Sequence, residues 1–120
     1  MITKTDFIGI PSTDAERSRA FYIDTLGLRP DDRGRFECWA GDTCFAIWMP
    51  EQWGEEFTPQ PNAIVLLHVD DVEAARAELE AKGVEFDGET VDTSVCHMAT
   101  FRDPDGNPLV LHKRYAPYAE

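Results

Sequence analysis

The sequence predicts an α+β fold in which one unit, a strand, a helix and about three strands, is written twice in tandem. Three observations carry this. Phe7-Ile8-Gly9-Ile10-Pro11-Ser12-Thr13-Asp14 lies over Ile64-Val65-Leu66-Leu67-His68-Val69-Asp70-Asp71 at an offset of 57 (64 − 7), so that helix start aligns with helix start. Both helical stretches open on a capping signal and close on a glycine. Between the copies, residues 50–62 hold three prolines, Gly54 and Trp53, which reads as a loop and as the seam of the chain. A unit of this length is too small to bury its own helix face. Two side by side can form one domain with a concave surface between their sheets.

Residues 6–12 read as the first strand. Thr13 with Glu16 makes a capping box: the Thr hydroxyl takes an orphan amide and the Glu reaches back. Ser18, Phe21, Tyr22 and Leu26 recur at helical spacing and give one inward face, and Gly27 ends the helix as a left-handed cap. Residues 35–39 and 43–49 are strands joined by the Ala40-Gly41-Asp42 turn, rich in aromatic and β-preferring residues. After the seam, residues 63–69 form a near-continuous apolar strand, and Asp70 with Glu73 is a second capping box. Val72, Ala75, Arg76 and Leu79 make the helix face, with the Arg76 stem covering it, and Gly83 closes the helix. Strands follow at about 84–91, 95–102 and 108–113. The turn Asp103-Pro104-Asp105-Gly106-Asn107 separates the last two, and Asp103 and Asp105 serve turn chemistry there.

Composition narrows the partners. The chain has 120 residues, 42% of them hydrophobic, which suits one compact domain. Its net charge of −12 argues against nucleic acid and against anionic membrane surfaces, both of which need Lys and Arg. It is compatible with a neutral or cationic small ligand, and solubility alone also explains it. No apolar run reaches the roughly 18–20 residues that span a bilayer. The opening MITKTDF is not a secretory signal, so a cytoplasmic location is expected. Cys38, Cys44 and Cys96 lack zinc-type spacing and fit a reduced compartment. Cys38 and Cys44 flank the hairpin turn and could face each other, although no functional disulfide is expected.

Asp14-Ala15-Glu16-Arg17-Ser18-Arg19-Ala20-Phe21-Tyr22-Ile23-Asp24-Thr25-Leu26-Gly27-Leu28 looks like the first helix of the vicinal oxygen chelate superfamily, with its "FY…LGL" ending. That superfamily includes glyoxalase I, extradiol dioxygenases and bleomycin-resistance proteins. Phe101-Arg102-Asp103-Pro104-Asp105-Gly106-Asn107-Pro108-Leu109 resembles the family's last hairpin, and Val69 to Val72 through Lys82-Gly83-Val84 its second helix. The resemblance implies a single domain over residues 1–120: a cup-shaped mixed sheet of two βαβββ modules with helices on the outer face. Module one is about 5–50, the linker about 50–62 and module two about 63–115. In metal-dependent members four side chains in the cup hold a divalent ion. Carried over one at a time, those positions are Phe7, Ala46, Ile64 and Val110, all apolar. None supplies the oxygen, nitrogen or thiolate that such ions need, so no metal and no cofactor is expected.

Strand alternation adds the neighbours that share the cup face: Leu66 and His68 with Ile64, His112 with Val110, Trp48 with Ala46, Gly9 with Phe7. On the strand at 95–102 the parity depends on whether a bulge intervenes. If Phe101 faces the helices, Met98 and Thr100 face the cup and His97 does not. His68 and His112 would orient a ligand or, in an enzyme, act as a base; His97 is weighed with them. Trp48, and Trp53 in the loop after it, would stack on a flat ligand, although packing explains tryptophans equally well. The expected ligand-binding set is Phe7, Ala46, Trp48, Trp53, Ile64, Leu66, His68, Met98, Thr100, Val110 and His112. The resemblance, closest to the metal-free bleomycin-resistance-like branch, implies a protein that sequesters a hydrophobic, partly planar or cationic small molecule, and that pairs as a homodimer. The competing expectation is an enzyme of the same superfamily, a lyase, isomerase or dioxygenase. It would use His68 or His112 as base, or an atypical metal site.

Overall fold

The structure is a computed structural model and describes residues 1–118. The chain divides into two compact units, Met1–Pro59 and the residues from Gln60 onward. The first contains β1 (Ile8–Pro11), α1 (Ala15–Ala20), a π-helical turn (Phe21–Thr25), β2 (Arg29–Pro30), β3 (Glu37–Ala40) and β4 (Thr43–Trp48). Its sheet runs β1-β4-β3-β2, with β1 parallel to β4 and the other pairs antiparallel. The second contains β5 (Leu66–His68), α2 (Val72–Ala81), β6 (Phe86–Asp92), β7 (Cys96–Arg102) and β8 (Pro108–Arg114). Its sheet runs β5-β8-β7-β6, with β5 parallel to β8. The chain is thus α+β, two βαβββ modules, each a four-stranded mixed sheet.

The helix starts differ from expectation by one residue, in both modules alike. The caps are Asp14, which accepts from the Arg17 amide, and Asp71, which accepts from the Ala74 amide. They stand 57 residues apart (71 − 14), the offset of the repeat. The reason is local: a short carboxylate on extended backbone reaches the amide three residues on. In module one, Ser12 fixes the entry by accepting from the Asp14 amide (3.0 Å) and bonding Ser18 (2.7 Å) within the core. Glu16 does not reach back; it pairs with Arg35 at 2.9 and 2.8 Å. Both helices end on left-handed glycines, Gly27 and Gly83.

Four further expectations are corrected. The apolar run 63–69 yields only a three-residue strand, and its side chains alternate: Val65 is buried, whereas Ile64 and Leu66 are exposed. Side chains alternate across the strand, and only one of its faces is buried. The seam is not all loop, because Pro50–Trp53 forms a 3-10 helix, with proline at its first turn. The short β2 was not foreseen. Cys38 and Cys44 do not face each other: Cys38 pairs with Phe45 and Cys44 with Trp39, which puts the two on opposite faces of the sheet. Both are free, and burial pushes the Cys38 thiol up to about 11.

In each module one sheet face is covered by the helix. In module one, α1 packs on β4, and Ile10, Tyr22, Cys38, Phe45 and Ile47 are buried. In module two, α2 packs on β6, β7 and β8, and Val72, Leu79, Ala99, Phe101, Leu109 and Leu111 are buried.

Two polar knots hold the loops. The buried Asp103 carboxylate accepts from the amides of Asp105 and Asn107 (both 2.9 Å) and from the Asn107 side chain (2.8 Å). Asn107 in turn accepts from the Gln60 amide at 3.0 Å, which ties down the start of module two. In module one, Asp31 accepts from the amides of Gly34 (2.8 Å) and Arg33 (3.0 Å) and from Trp39 Nε1 (2.9 Å). Those donors, the Gly34 amide foremost, hold its carboxyl at about 2.

Asp103→Ala leaves three donors without their acceptor. It is expected to cost about 2–4 kcal/mol in urea unfolding at neutral pH. Asp31 is depressed in the folded state, so its stabilisation is present above the unfolded value and is lost as pH falls towards about 2. Urea midpoints measured as pH falls from about 4 towards 2 should therefore decline less steeply in Asp31→Asn than in the wild type.

Candidate functional site

Side chains alternate across a strand, so fixing one face fixes the other. In module two Phe101 is fully buried, and its register partners are Phe86 and Leu109. That row lies against α2. The rows between must face the opposite way. One reads Leu66, Val110, Thr100, Asp87; the next reads His68, His112, Met98, Val91. Strand neighbours stand about 4.8 Å apart, so members of a row can touch one ligand.

The parity left open by a possible bulge is resolved. The irregularity lies in β6, between Asp87 and Val91, while the β7–β8 ladder runs unbroken from Cys96↔Arg114 to Arg102↔Pro108. Arg76 of α2 grips the bulge, donating to Gly88 O (2.7 Å) and Thr90 Oγ1 (3.2 Å), with its guanidinium over Phe86. Met98 and Thr100 therefore share the open face with Val110 and His112. His97 belongs to the other parity, where it packs against Tyr115 (4.9 Å) and lies 3.5 Å from Asp92.

Six of the expected residues thus fall on one face: Leu66, His68, Met98, Thr100, Val110 and His112. Val110 is buried, and Met98, Thr100 and His112 are half-buried. Leu66 is 50% exposed, and Ile64, just before β5, is 62% exposed. His68 is exposed, with Nε2 3.3 Å from Asp70 Oδ1. In module one the buried Phe45 and Ile47 face α1, which puts Ala46 and Trp48 on the uncovered face. Trp48 leans on Gly9 so closely that a Cβ there would lie 3.1 Å from its Nε1. Phe7 is exposed ahead of β1, and Trp53 is exposed at the end of the 3-10 helix.

The four family metal positions do not fit an ion. Phe7, Ala46, Ile64 and Val110 carry no donor, and among the described residues no group of three or more His, Cys, Asp or Glu is placed to hold one. Two residues of the uncovered faces escaped the sequence reading. Glu37 pairs with Ala46, and its carboxylate packs on Gly34. Arg114 pairs with Cys96 at the end of β8. The signal for Arg114 was present: it lies two residues beyond His112, but the strand was ended at 113. A hollow of about 410 Å³ also opens in module one beside Asp14, Glu16, Phe36, Trp48 and Gln52. Its two carboxylates are already engaged, Asp14 as a cap and Glu16 by Arg35.

Among the described residues no helix is long and apolar enough to cross a membrane. The chain matches the family model described as Glyoxalase/Bleomycin resistance protein/Dioxygenase superfamily over residues 4–111. It is 35% identical to the uncharacterized protein YaeR of Escherichia coli K12, across 89% of this chain and 93% of YaeR. A superfamily member from Sphaerobacter thermophilus has the same fold (TM-score 0.75, 25% identity, 92% of this chain and 97% of that one). So does TnmS3, an antibiotic binding protein from Streptomyces sp. CB03234 (TM-score 0.71, 29% identity, 94% and 97%). With the family model spanning nearly the whole chain over this doubled βαβββ fold, the protein belongs to the glyoxalase/bleomycin resistance/dioxygenase superfamily.

Proposed function

We propose that the protein binds a small, hydrophobic, partly planar or cationic molecule stoichiometrically and without a metal, in the manner of the bleomycin-resistance-like branch. The observation that carries this is the uncovered face of module two. Leu66, Val110, Thr100 and Met98 make an apolar, uncharged wall, and His68 and His112 end it with polar groups. A few polar groups set in an apolar lining suit a binding site. The absence of donors at Phe7, Ala46, Ile64 and Val110 supports binding without an ion, and the likeness to TnmS3, which is named for antibiotic binding, supports the ligand class. A homodimer in the cytoplasm belongs to the same proposal.

A second reading rests on one contact. The His68–Asp70 pair at 3.3 Å resembles a base held by its orienting carboxylate, the arrangement an enzyme of the superfamily would use. His68 stands exposed with this single carboxylate beside it, which suits orienting a ligand better than driving a reaction.

The test is calorimetric titration with planar antibiotics and planar aromatic cations. Met98→Ala should weaken binding by about 1–3 kcal/mol, roughly 10- to 100-fold. His68→Ala should weaken it by about 0.5–1.5 kcal/mol. Unaltered affinity in both variants would remove the proposed wall. Turnover sustained by a stoichiometric divalent ion would favour the enzyme.

A further inference from the structure

The uncovered face of module two has a direction. On β5 it changes from Leu66 to His68, and on β8 from Val110 to His112 and then Arg114. These two strands are parallel and in register, so both become basic at the same end. Beside them, β7 contributes Met98 and Cys96, which carry no charge. The acid on this face of β6, Asp87, stands in the apolar row and is already paired with Arg102 at 3.0 Å. Asp70 lies past the end of β5, against His68. A chain with 23 acidic and 11 basic side chains thus gathers two histidines and an arginine at one end of one face.

Arg114 adds an independent observation. Its Nη2 donates to Pro117 O at 3.1 Å, and its guanidinium lies 4.0 Å from the centre of the Tyr118 ring. Among the described residues its buried Nε has no hydrogen-bond acceptor. A buried guanidinium N–H without an acceptor is costly, and a carboxylate is the group whose geometry matches the Nε–Nη edge. The tyrosine ring covers the guanidinium's face and leaves the in-plane donors as the edge to be satisfied. His112 stands about 7 Å along the same strand and face, within reach of the same ligand group.

We propose that the ligand is an aromatic carboxylic acid. Its flat body lies over Leu66, Val110, Thr100 and Met98, and its carboxylate is held by Arg114 with His112 beside it. This rests on the proposed binding role, keeps its planar, hydrophobic ligand body and puts an anionic group in place of the cationic one.

The experiment compares matched pairs of bicyclic and tricyclic aromatic acids with their primary amides, 2-naphthoate and 2-naphthamide among them, by calorimetry. The acid should bind the wild type roughly tenfold more tightly than its amide. That ratio should fall towards one in Arg114→Gln and shrink in His112→Gln. Should Arg114→Gln not fold, Arg114→Lys serves, because it keeps the charge but loses the planar fork, and the ratio should again drop. Acids and amides binding the wild type alike, with both still weakened by Met98→Ala, would overturn the carboxylate assignment and leave the binding role standing. Failure of every acid and amide to bind would overturn the carboxylate assignment, and failure of the planar antibiotics and cations as well would overturn the binding role.

Discussion

The two-residue period of a β-strand governs this protein. Once α2 takes Phe101, Leu109 and Leu111 for its own face, every other residue on β7 and β8 must turn away from it. Met98, Thr100, Val110, His112 and Arg114 are on the uncovered face for that reason alone. A one-residue slip of β8 against β7 would exchange Val110, His112 and Arg114 for Leu109, Leu111 and Lys113. The unbroken ladder between β7 and β8 keeps this from happening, and the Asp103–Asn107 knot locks the hairpin that sets it. The single irregularity is displaced to β6, where Arg76 holds it.

The same device is used twice. Each module begins with a strand that pairs in parallel with its last strand, and each helix starts from an aspartate cap at the same place in the repeat. A parallel pair needs a crossover between its strands, and the helix supplies it. Module one differs in its polar fittings. Ser12 and Ser18 bond inside the core, and Asp31 gathers Trp39 with two loop amides. These contacts stiffen the sheet that presents Trp48 over Gly9.

Membership of the superfamily sets the architecture without setting the chemistry. The positions that hold a metal in other members are here two exposed apolar residues ahead of their strands, a half-buried alanine and a buried valine. What remains on module two is a wall graded from apolar to basic, on a chain that is acidic as a whole. A graded wall recognises a ligand with two unlike ends, which is the basis for assigning it a flat body and an acidic group.

Much of this was legible in the sequence by itself. The doubled order of elements, the glycine ends of both helices and the DPDGN turn are local chemistry: caps, left-handed backbone and side-chain-to-amide bonds act within a few residues. The apolar character of Phe7, Ala46, Ile64 and Val110 was equally plain once the repeat was aligned. Other features were decided only by tertiary structure. Glu16 left its expected capping box for Arg35, nineteen residues away. Whether Met98 or His97 joins His112 depended on where the bulge fell, and hence on Arg76 reaching across from a helix. Cys38 and Cys44 were separated by register, which no count of residues around a turn can give. Arg114 joined the histidines because β8 runs one residue past the end expected at 113, carried by pairing with Cys96. Local bonds are written in the order of residues; register and the extent of strands are settled by which neighbours the packed chain brings alongside.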